Sequence, residues 1–448
     1  MRDTALAWAT FARARWGLRF RDRSSLLRWQ QVRIDRFLQS RLAATPFYRD
    51  YAGATLDQLP IVDKPTVRSQ FVAFNDRGID LDRALDVALA AERQRDFAPT
   101  LDGVTVGLSS GTSGERSVFL VSAEERYRWA GLMLARLLTP QSLRQILAPW
   151  RPPLRIAFFL RANSNLYETV ASRRIRFAFH DLIAPLDEHV RRLNACPPDV
   201  LVAPPTVLRR LAAAVIGGQL RIAPAQVVSV AEVIEADDRA VIAHAFGVPI
   251  QEVYQASEGF LAASCPAGRL HLNEEYMHIE PEWLDHDGRR FRPIVTDFTR
   301  TCQLVVRYRL DDVLLASEGP CKCGRVTRSL DAVEGRSDDV LWWPSVRGGD
   351  SQPVFPDVVR RSMALAGADI SEYRIEQRGR VWAVALETSA PNEAVARAAV
   401  QAELHAMCAR LGVQPPSVAF EAWTPWPALA KRRRIRCIER WASREGGA

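Results

Sequence analysis

Between residues 104 and 260 the chain alternates short, unbroken apolar runs with longer stretches in which apolar residues recur at helical spacing. Leu154–Leu160, Asp199–Ala203, Gln226–Val230 and Ile250–Tyr254 are runs of the first kind. Each is too short for a helix and rich in branched or aromatic residues, which predicts strands buried on both faces. The stretches opened by Pro204-Pro205-Thr206, running to Val215, and Glu235–Phe246 predict helices. Strand–helix alternation of this kind predicts a mostly parallel sheet with helices on both sides. Ligands of such sheets bind beyond the strand C-termini. Val230-Ala231-Glu232 and Tyr254-Gln255-Ala256-Ser257-Glu258-Gly259 lie there.

The pattern differs on either side. Residues 1–60 are rich in Arg and Leu with helical periodicity, as in Leu26–Arg41, and helical pieces continue to about 95. Tyr276–Ile279, Pro293–Asp297 and Gln303–Tyr308 predict a β-rich subregion. After Gly335-Arg336-Ser337-Asp338-Asp339 come a strand (Val340–Trp343), a helix (Phe355–Ala366), a hairpin (Tyr373–Glu387) turning at Arg378-Gly379-Arg380, and a helix (Asn392–Leu411). The expected class is α/β: a large N-terminal domain, 1–337, with mostly parallel sheets flanked by helices plus the β-rich subregion, and a small α+β C-terminal domain, 338–448.

Val104–Leu108 and Ser117–Val121 predict two strands around Ser109-Ser110-Gly111-Thr112-Ser113-Gly114-Glu115-Arg116. Glycine opens backbone angles closed to other residues, and hydroxyls add donors beside exposed N–H groups, so such a loop can wrap an anion. A helix follows only after Ser122 and Glu125, a capping-box pair preceding Tyr127–Leu138. Strand–loop–strand, without Gly-Lys-Ser/Thr, is not a Walker loop. Taken alone, a plain surface hairpin fits it equally well.

Size and composition narrow the picture. The 448 residues suffice for two or three domains, and 48% apolar with 25% charged residues suits a globular chain. No apolar run reaches membrane-spanning length, and the first residues do not read as a secretory signal. Seven cysteines suit reduced thiols or a metal in the cytoplasm better than a disulfide framework. A net charge of +8 favours an acidic partner, such as nucleic acid, an acidic carrier protein, or a nucleotide triphosphate plus a carboxylate. Lys431-Arg432-Arg433-Arg434 is the densest basic cluster.

Five pieces stand in a fixed order: Ser109–Gly114, Tyr254-Gln-Ala-Ser-Glu258, Arg307-Tyr-Arg-Leu-Asp-Asp312, Gly335–Asp339 and Lys431. In them the chain resembles the adenylate-forming superfamily of acyl- and aryl-acid ligases, above all its phenylacetate–CoA ligase and coenzyme F390 synthetase-like branch. The resemblance is good over about 105–360 and looser elsewhere. It implies that a carboxylic acid is adenylated by ATP and then passed to a thiol of CoA or of a phosphopantetheine carrier. Charge builds on phosphate oxygens during adenylation, so preorganised donors and a cation are needed. By resemblance, Ser109, Ser110, Gly111, Thr112, Ser113 and Gly114 hold the β- and γ-phosphates, and Glu258 holds Mg²⁺. Tyr254, Gln255, Ala256 and Ser257 line the nucleotide and acid side, and Ala231 and Glu232 edge the adenine. Asp312, in preference to its neighbour Asp311, accepts the ribose hydroxyls, and Arg336 touches ribose or phosphate. Asp338 is the hinge of a domain rotation, and Lys431 reaches the α-phosphate. The alternative for Lys431 is a solvated basic tail, since Ala430 stands where the family has glycine and three arginines follow.

Cys265, His271, Cys321 and Cys323 make a Cys₃His set of the kind that holds structural Zn²⁺, although the C-x-C spacing is tight and buried free cysteines fit too. Cys196, Cys302, Cys408 and Cys437 read as structural. His180, His189, His244, His278 and His405 are scattered, and no hydrolase triad or H-E-x-x-H occurs. Trp342, Trp343, Trp423 and Trp426 read as small-domain core. Phe158, Phe159, Tyr167, Phe177 and Phe179 offer an aromatic wall, which favours a planar, aromatic acid or sheet core equally. Two alternatives remain: adenylyl transfer to a phenolic hydroxyl, as in F390 synthetase, and a zinc-stabilised, basic nucleic-acid-binding protein. A homodimer is left open.

Overall fold

The computed structural model describes residues 2–96, 99–108, 118–160, 169–285, 287–348, 351–367, 369–388, 393–426 and 432–440. Two compact units emerge. The first runs to Leu310 and includes Leu314–Val333; the second comprises Asp311–Val313 and the residues from Glu334 on.

In the first unit β1 (Thr105–Leu108) and β2 (Val118–Val121) pair antiparallel, with Thr105 opposite Val121. Gly107 lies opposite Phe119, and a Cβ on it would fall 2.0 Å from that ring, so only glycine fits under the aromatic face. The helix Ala123–Leu137 starts at the expected capping box: Ser122 Oγ accepts from Glu125 N–H at 3.3 Å, and Glu125 Oε2 from Ser122 N–H at 2.7 Å.

The main sheet begins with β3 (Leu154–Leu160), β4 (Ile175–Asp181), β5 (Val200–Ala203), β6 (Gln226–Ser229) and β7 (Ile250–Ala256). These lie parallel in the order β4-β3-β5-β6-β7. β8 (Gly259–Ser264) and β9 (Leu270–Leu272) extend the sheet antiparallel. β10 (Met277–Trp283), β11 (Arg290–Asp297), β12 (Tyr308–Arg309), β13 (Asp312–Ala316) and β14 (Ser329–Arg336) complete a twelve-stranded sheet, ordered β9-β14-β13-β11-β10 with β12 on β11. β5 shows why its strand is an unbroken apolar run. Val200 and Val202 pack with Ile156, Val228, Phe11 and Met133 on one face. Leu201 and Ala203 pack with Phe159, Leu208 and Ile242 on the other. Each such side chain contributes about 1.5–3 kcal/mol on burial, so neither face tolerates the polar residues of a one-sided sheet.

The N-terminal helices belong to this unit. Helix Arg23–Arg41 starts on Asp22, whose Oδ1 accepts from Ser25 N–H at 2.7 Å, and buries Gln30. The Gln30 amide donates to the carbonyls of Glu274 (2.6 Å) and Met277 (3.0 Å), just before and at the start of β10. Gln303–Tyr308 is not the continuous strand expected: Gln303 makes a single antiparallel bridge with Asn75, and the only strand here is Tyr308–Arg309. Arg307 takes φ +45°, and the backbone of the segment bonds to the N-terminal region instead, Leu304 N–H to Phe74 O and Val62 N–H to Arg307 O.

The second unit contains β15 (Leu341–Pro344) paired with β16 (Ser351–Val354), and a four-stranded sheet of β17 (Ile370–Arg378), β18 (Val381–Thr388), β19 (Ser417–Glu421) and β20 (Ile435–Glu439) in the order β19-β18-β17-β20. β17 and β18 form the expected hairpin, turning on Gly379 (φ +58°) and Arg380, while β19 and β20 add parallel on the outside. Helices Pro356–Ala366 and Glu393–Leu411 close the core, in which Trp343 and Trp382 meet edge to face at 5.3 Å. Trp423 and Trp426 are not core. Both are half-buried and flank the Arg374 guanidinium, 5.6 and 4.5 Å from their ring centres. The fold is the α/β class expected, with the parallel strands making one half of the large sheet and antiparallel strands the other.

Candidate active site and metal centre

β6 and β7 are parallel neighbours with Ser229 opposite Glu252, so the chain leaves both at the same edge of the sheet. After β6, Ala231 takes φ +67° and Glu232 N–H bonds to Val230 O at 2.8 Å, a γ-turn of the rare positive-φ kind. Strain of this kind costs on the order of 1–3 kcal/mol and clusters at functional sites. Glu232 Oε2 accepts from Thr206 N–H, 3.4 Å away in the first turn of helix Pro205–Ile216. After β7, Ser257 and Glu258 form the two-residue turn into β8, and Ser257 Oγ donates to Glu258 Oε2 at 3.0 Å. Tyr254 is buried in the strand, Ala256 is half-buried, and Gln255 Oε1 accepts from the Trp129 indole at 3.2 Å. In the first unit Ala231 and Glu232 follow β6, and Tyr254–Glu258 run through the end of β7 into its turn, on parallel neighbouring strands. Ser109–Gly114, Thr112 among them, and Lys431 lie outside the described residues, as does Tyr167.

In the second unit Asp311, Arg336, Asp338 and Asp339 form one ionic cluster. Arg336 donates to Asp311 Oδ2 at 2.8 Å, and its Nε lies 3.4 Å from Asp338 Oδ1. Asp339 Oδ2 accepts from Arg336 N–H at 2.8 Å. Gly335 takes φ +135°, and a Cβ there would stand 2.8 Å from that same carboxylate oxygen, so the glycine makes room for it. Arg433 completes the cluster, 2.8 Å from Asp338 and 2.9 Å from Asp339 through Nε. Arg432 and Arg434 both pair with Glu372, at 3.0 and 2.6 Å. The arginines after Lys431 are therefore bound to carboxylates, not a solvated run. Asp312 heads β13 and is half-buried, while Asp311 is the carboxylate engaged by Arg336.

Of the aromatic wall, Phe158 and Phe177 share a face with ring centres 5.4 Å apart. Phe159 points the other way, fully buried and stacked on His180 at 4.4 Å. His180 and His189, nine residues apart in sequence, meet in this core with Nδ1 atoms 3.3 Å apart. Burial, with Arg192 nearby, pushes His180 down to about 3. Among the remaining cysteines Cys302 and Cys408 are buried, but Cys196 is exposed and so not a packing residue.

Cys265, His271, Cys321 and Cys323 converge, their ligating atoms all within 4.8 Å of one another. The Cys265 and Cys321 sulfurs are 3.7 Å apart, too far for a disulfide, and Cys323 Sγ is 3.4 Å from His271 Nε2. Tetrahedral zinc, with bonds near 2.3 Å to sulfur and 2.0–2.1 Å to nitrogen, sets sulfur–sulfur edges of roughly 3.8 Å and sulfur–nitrogen edges of roughly 3.6 Å. The Cys265–Cys321 and Cys323–His271 separations are close to these edges. His271 Nδ1 faces the Thr327 carbonyl at 3.1 Å, which accepts only, so the proton sits on Nδ1 and Nε2 is left as a lone-pair donor. Burial and the Arg325 charge hold this imidazole below its ordinary value, keeping it neutral, as a ligand must be.

No protein-family model matches the chain. In sequence it is similar to Protein CapK of Staphylococcus aureus, 27% identical over 188 residues, which is 41% of this chain and 40% of CapK, so the match spans under half of that relative. In structure it is similar to 2-hydroxyisobutyryl-CoA ligase. The postadenylation state with R3-HIB-AMP superposes at TM-score 0.60 with 16% identity, covering 94% of this chain and 90% of that one. The open conformation with 2-HIB-AMP and CoA gives TM-score 0.54 with 17% identity, covering 92% and 90%. These likenesses show that the chain has the fold of 2-hydroxyisobutyryl-CoA ligase.

Proposed function

We propose that the protein activates a small carboxylic acid with ATP and transfers the acyl group to a thiol. The observation that carries this reading is the fold, similar over 94% of the chain to a ligase solved with a bound acyl adenylate. The strained Ala231 turn and the Ser257–Glu258 turn support it, since they follow the C-termini of β6 and β7, where open parallel sheets bind ligands.

In the first half-reaction a carboxylate oxygen attacks the α-phosphorus, the bond to the β-phosphate bridging oxygen breaks, and pyrophosphate leaves. Thr112 and its neighbours in the 109–114 loop donate to the outer phosphates. Glu258 supplies a hard oxygen for Mg²⁺, the ion that neutralises charge on the phosphates. Ala231 and Glu232 edge the adenine, Tyr254 to Ser257 line the nucleotide and acid, and Asp312 accepts the ribose hydroxyls. Arg336 is held ready by Asp311 at the same segment. Lys431 stabilises charge on the α-phosphate. In the second half-reaction a thiolate attacks the acyl carbon and AMP leaves, with Asp338 as the hinge between the two states. Phe158 and Phe177 favour an aromatic acid, and CoA or a carrier-borne phosphopantetheine is the acceptor. Zinc at Cys265, His271, Cys321 and Cys323 is structural: four ligands leave no open position.

Incubation with Mg·ATP and a panel of aryl and aliphatic acids tests this. Acid-dependent pyrophosphate release, followed by thioester on adding CoA, is expected. Pyrophosphate release that needs a phenol and no acid would point to adenylyl transfer to a hydroxyl instead. The nucleic-acid alternative loses its main support, because Arg432, Arg433 and Arg434 are paired with Glu372, Asp338 and Asp339.

A further inference from the structure

Between β11 and β12 the chain passes through residues 298–307, which form no helix or strand of their own. Arg300 in this segment is only 8% exposed. Its Nη2 donates to the carbonyl of Leu120 at 2.8 Å, and its Nη1 reaches the carbonyl of Ser257 at 3.5 Å. Leu120 belongs to β2, the strand that follows the 109–114 loop in sequence; Ser257 belongs to the turn that carries Glu258. One guanidinium thus spans the two elements.

The surroundings fix Arg300 in turn. Glu125 Oε1 lies 4.0 Å from its Nε and itself accepts from the backbone of Cys302 (3.0 Å) and of Thr301, while Oε2 accepts from Ser122 N–H (2.7 Å). Gln303 Oε1 takes the Leu120 N–H at 2.9 Å, so both backbone groups of Leu120 are gripped by this one segment. On the other side, buried Asp297 is tied by Thr299 N–H (2.8 Å) and Oγ1 (2.6 Å), and its Oδ2 lies 3.1 Å from where a Cβ of Gly259 would stand. A planar guanidinium can hold two carbonyls at a set separation, which an ammonium cannot reproduce.

We propose that Arg300 is a positioning residue that sets the spacing between β2 and the Ser257–Glu258 turn, and so governs binding of the Mg²⁺-bound β- and γ-phosphates. This rests on the nucleotide-binding reading given above. AMP, lacking those phosphates, is indifferent to that spacing.

The test is calorimetric binding of Mg·ATP and, separately, of AMP to the full-length wild type, Arg300→Gln and Arg300→Lys, each first checked for cooperative thermal unfolding. In Arg300→Gln, Mg·ATP affinity falls about tenfold, the scale of one lost charged hydrogen bond, while AMP affinity stays within about twofold. Arg300→Lys falls between Arg300→Gln and wild type. Equal losses for both ligands, or no loss of Mg·ATP affinity, overturn the inference. So does failure of both variants to fold, which would make Arg300 a core strut only. A wild-type protein that binds neither ligand removes the nucleotide-binding reading itself, and the inference with it.

Discussion

Glu258 and His180 show how differently single side chains report on this protein. Glu258 stands in a tight turn with Ser257 Oγ on one of its oxygens. Glu258→Gln keeps the shape and removes the charge that would meet Mg²⁺; pyrophosphate release is expected to fall about 10²–10³-fold with unfolding temperature unchanged. A drop below about threefold in a pyrophosphate assay would remove Glu258 from the site. His180 makes a prediction independent of function. Its folded value lies near 3, far below the ordinary 6.5. Between those values the unfolded chain binds a proton that the folded chain refuses, so stability falls as pH drops below 6.5. The loss is at most about 1.4 kcal/mol per pH unit from this residue, and it is complete near pH 3. Urea unfolding at pH 7 and pH 5 checks it, and His180→Phe should flatten the dependence. The turn at Ser257–Glu258 was legible because a polar pair interrupts two apolar runs. The His180–His189 pair was not, since a nine-residue gap carries no period and the parallel pairing of β3 with β4 makes the contact.

At the level of elements, strands with continuous apolar runs were readable and strands defined by pairing were not. β5 and β6 announce themselves by burial on both faces. β8 and β9 are built largely from Gly, Ala, Ser and short Leu runs, and exist because β7 offers an edge to pair with. β20 was hidden for a related reason: its entry is a run of arginines that looks like a tail until Glu372, Asp338 and Asp339 supply the counter-charges. That entry makes a prediction. Asp339→Asn removes one of the two carboxylates paired with a largely buried Arg433, leaving Asp338, and is expected to cost roughly 2 kcal/mol, below the value for breaking a fully buried pair. Denaturant unfolding followed by tryptophan fluorescence, to which Trp343 and Trp382 contribute, measures it; a change under 0.5 kcal/mol would show the pair to be incidental. The metal loop is the other element held by a small set of side chains. Cys323→Ser, or chelation, should release one zinc per chain and lower the unfolding temperature. Metal-free wild-type protein of unchanged stability would contradict a structural ion at Cys265, His271, Cys321 and Cys323.

For the whole molecule, the sequence order of the motifs pointed to the fold before any contact was known, and the fold agrees with a CoA ligase across almost its full length at only 16% identity. Identity that low carries architecture and leaves the acid open, since a fold does not fix the side chains that choose a substrate. No helix among the described residues is long and apolar enough to cross a membrane. The central claim is that this architecture still performs adenylation. Acid-dependent exchange of labelled pyrophosphate into ATP measures that half-reaction alone, independent of the thiol acceptor. At least one small or aromatic acid is predicted to drive exchange in the presence of Mg²⁺, at a rate that collapses in Glu258→Gln. Exchange absent with every acid tested, from a folded protein supplied with Mg·ATP, would contradict the account.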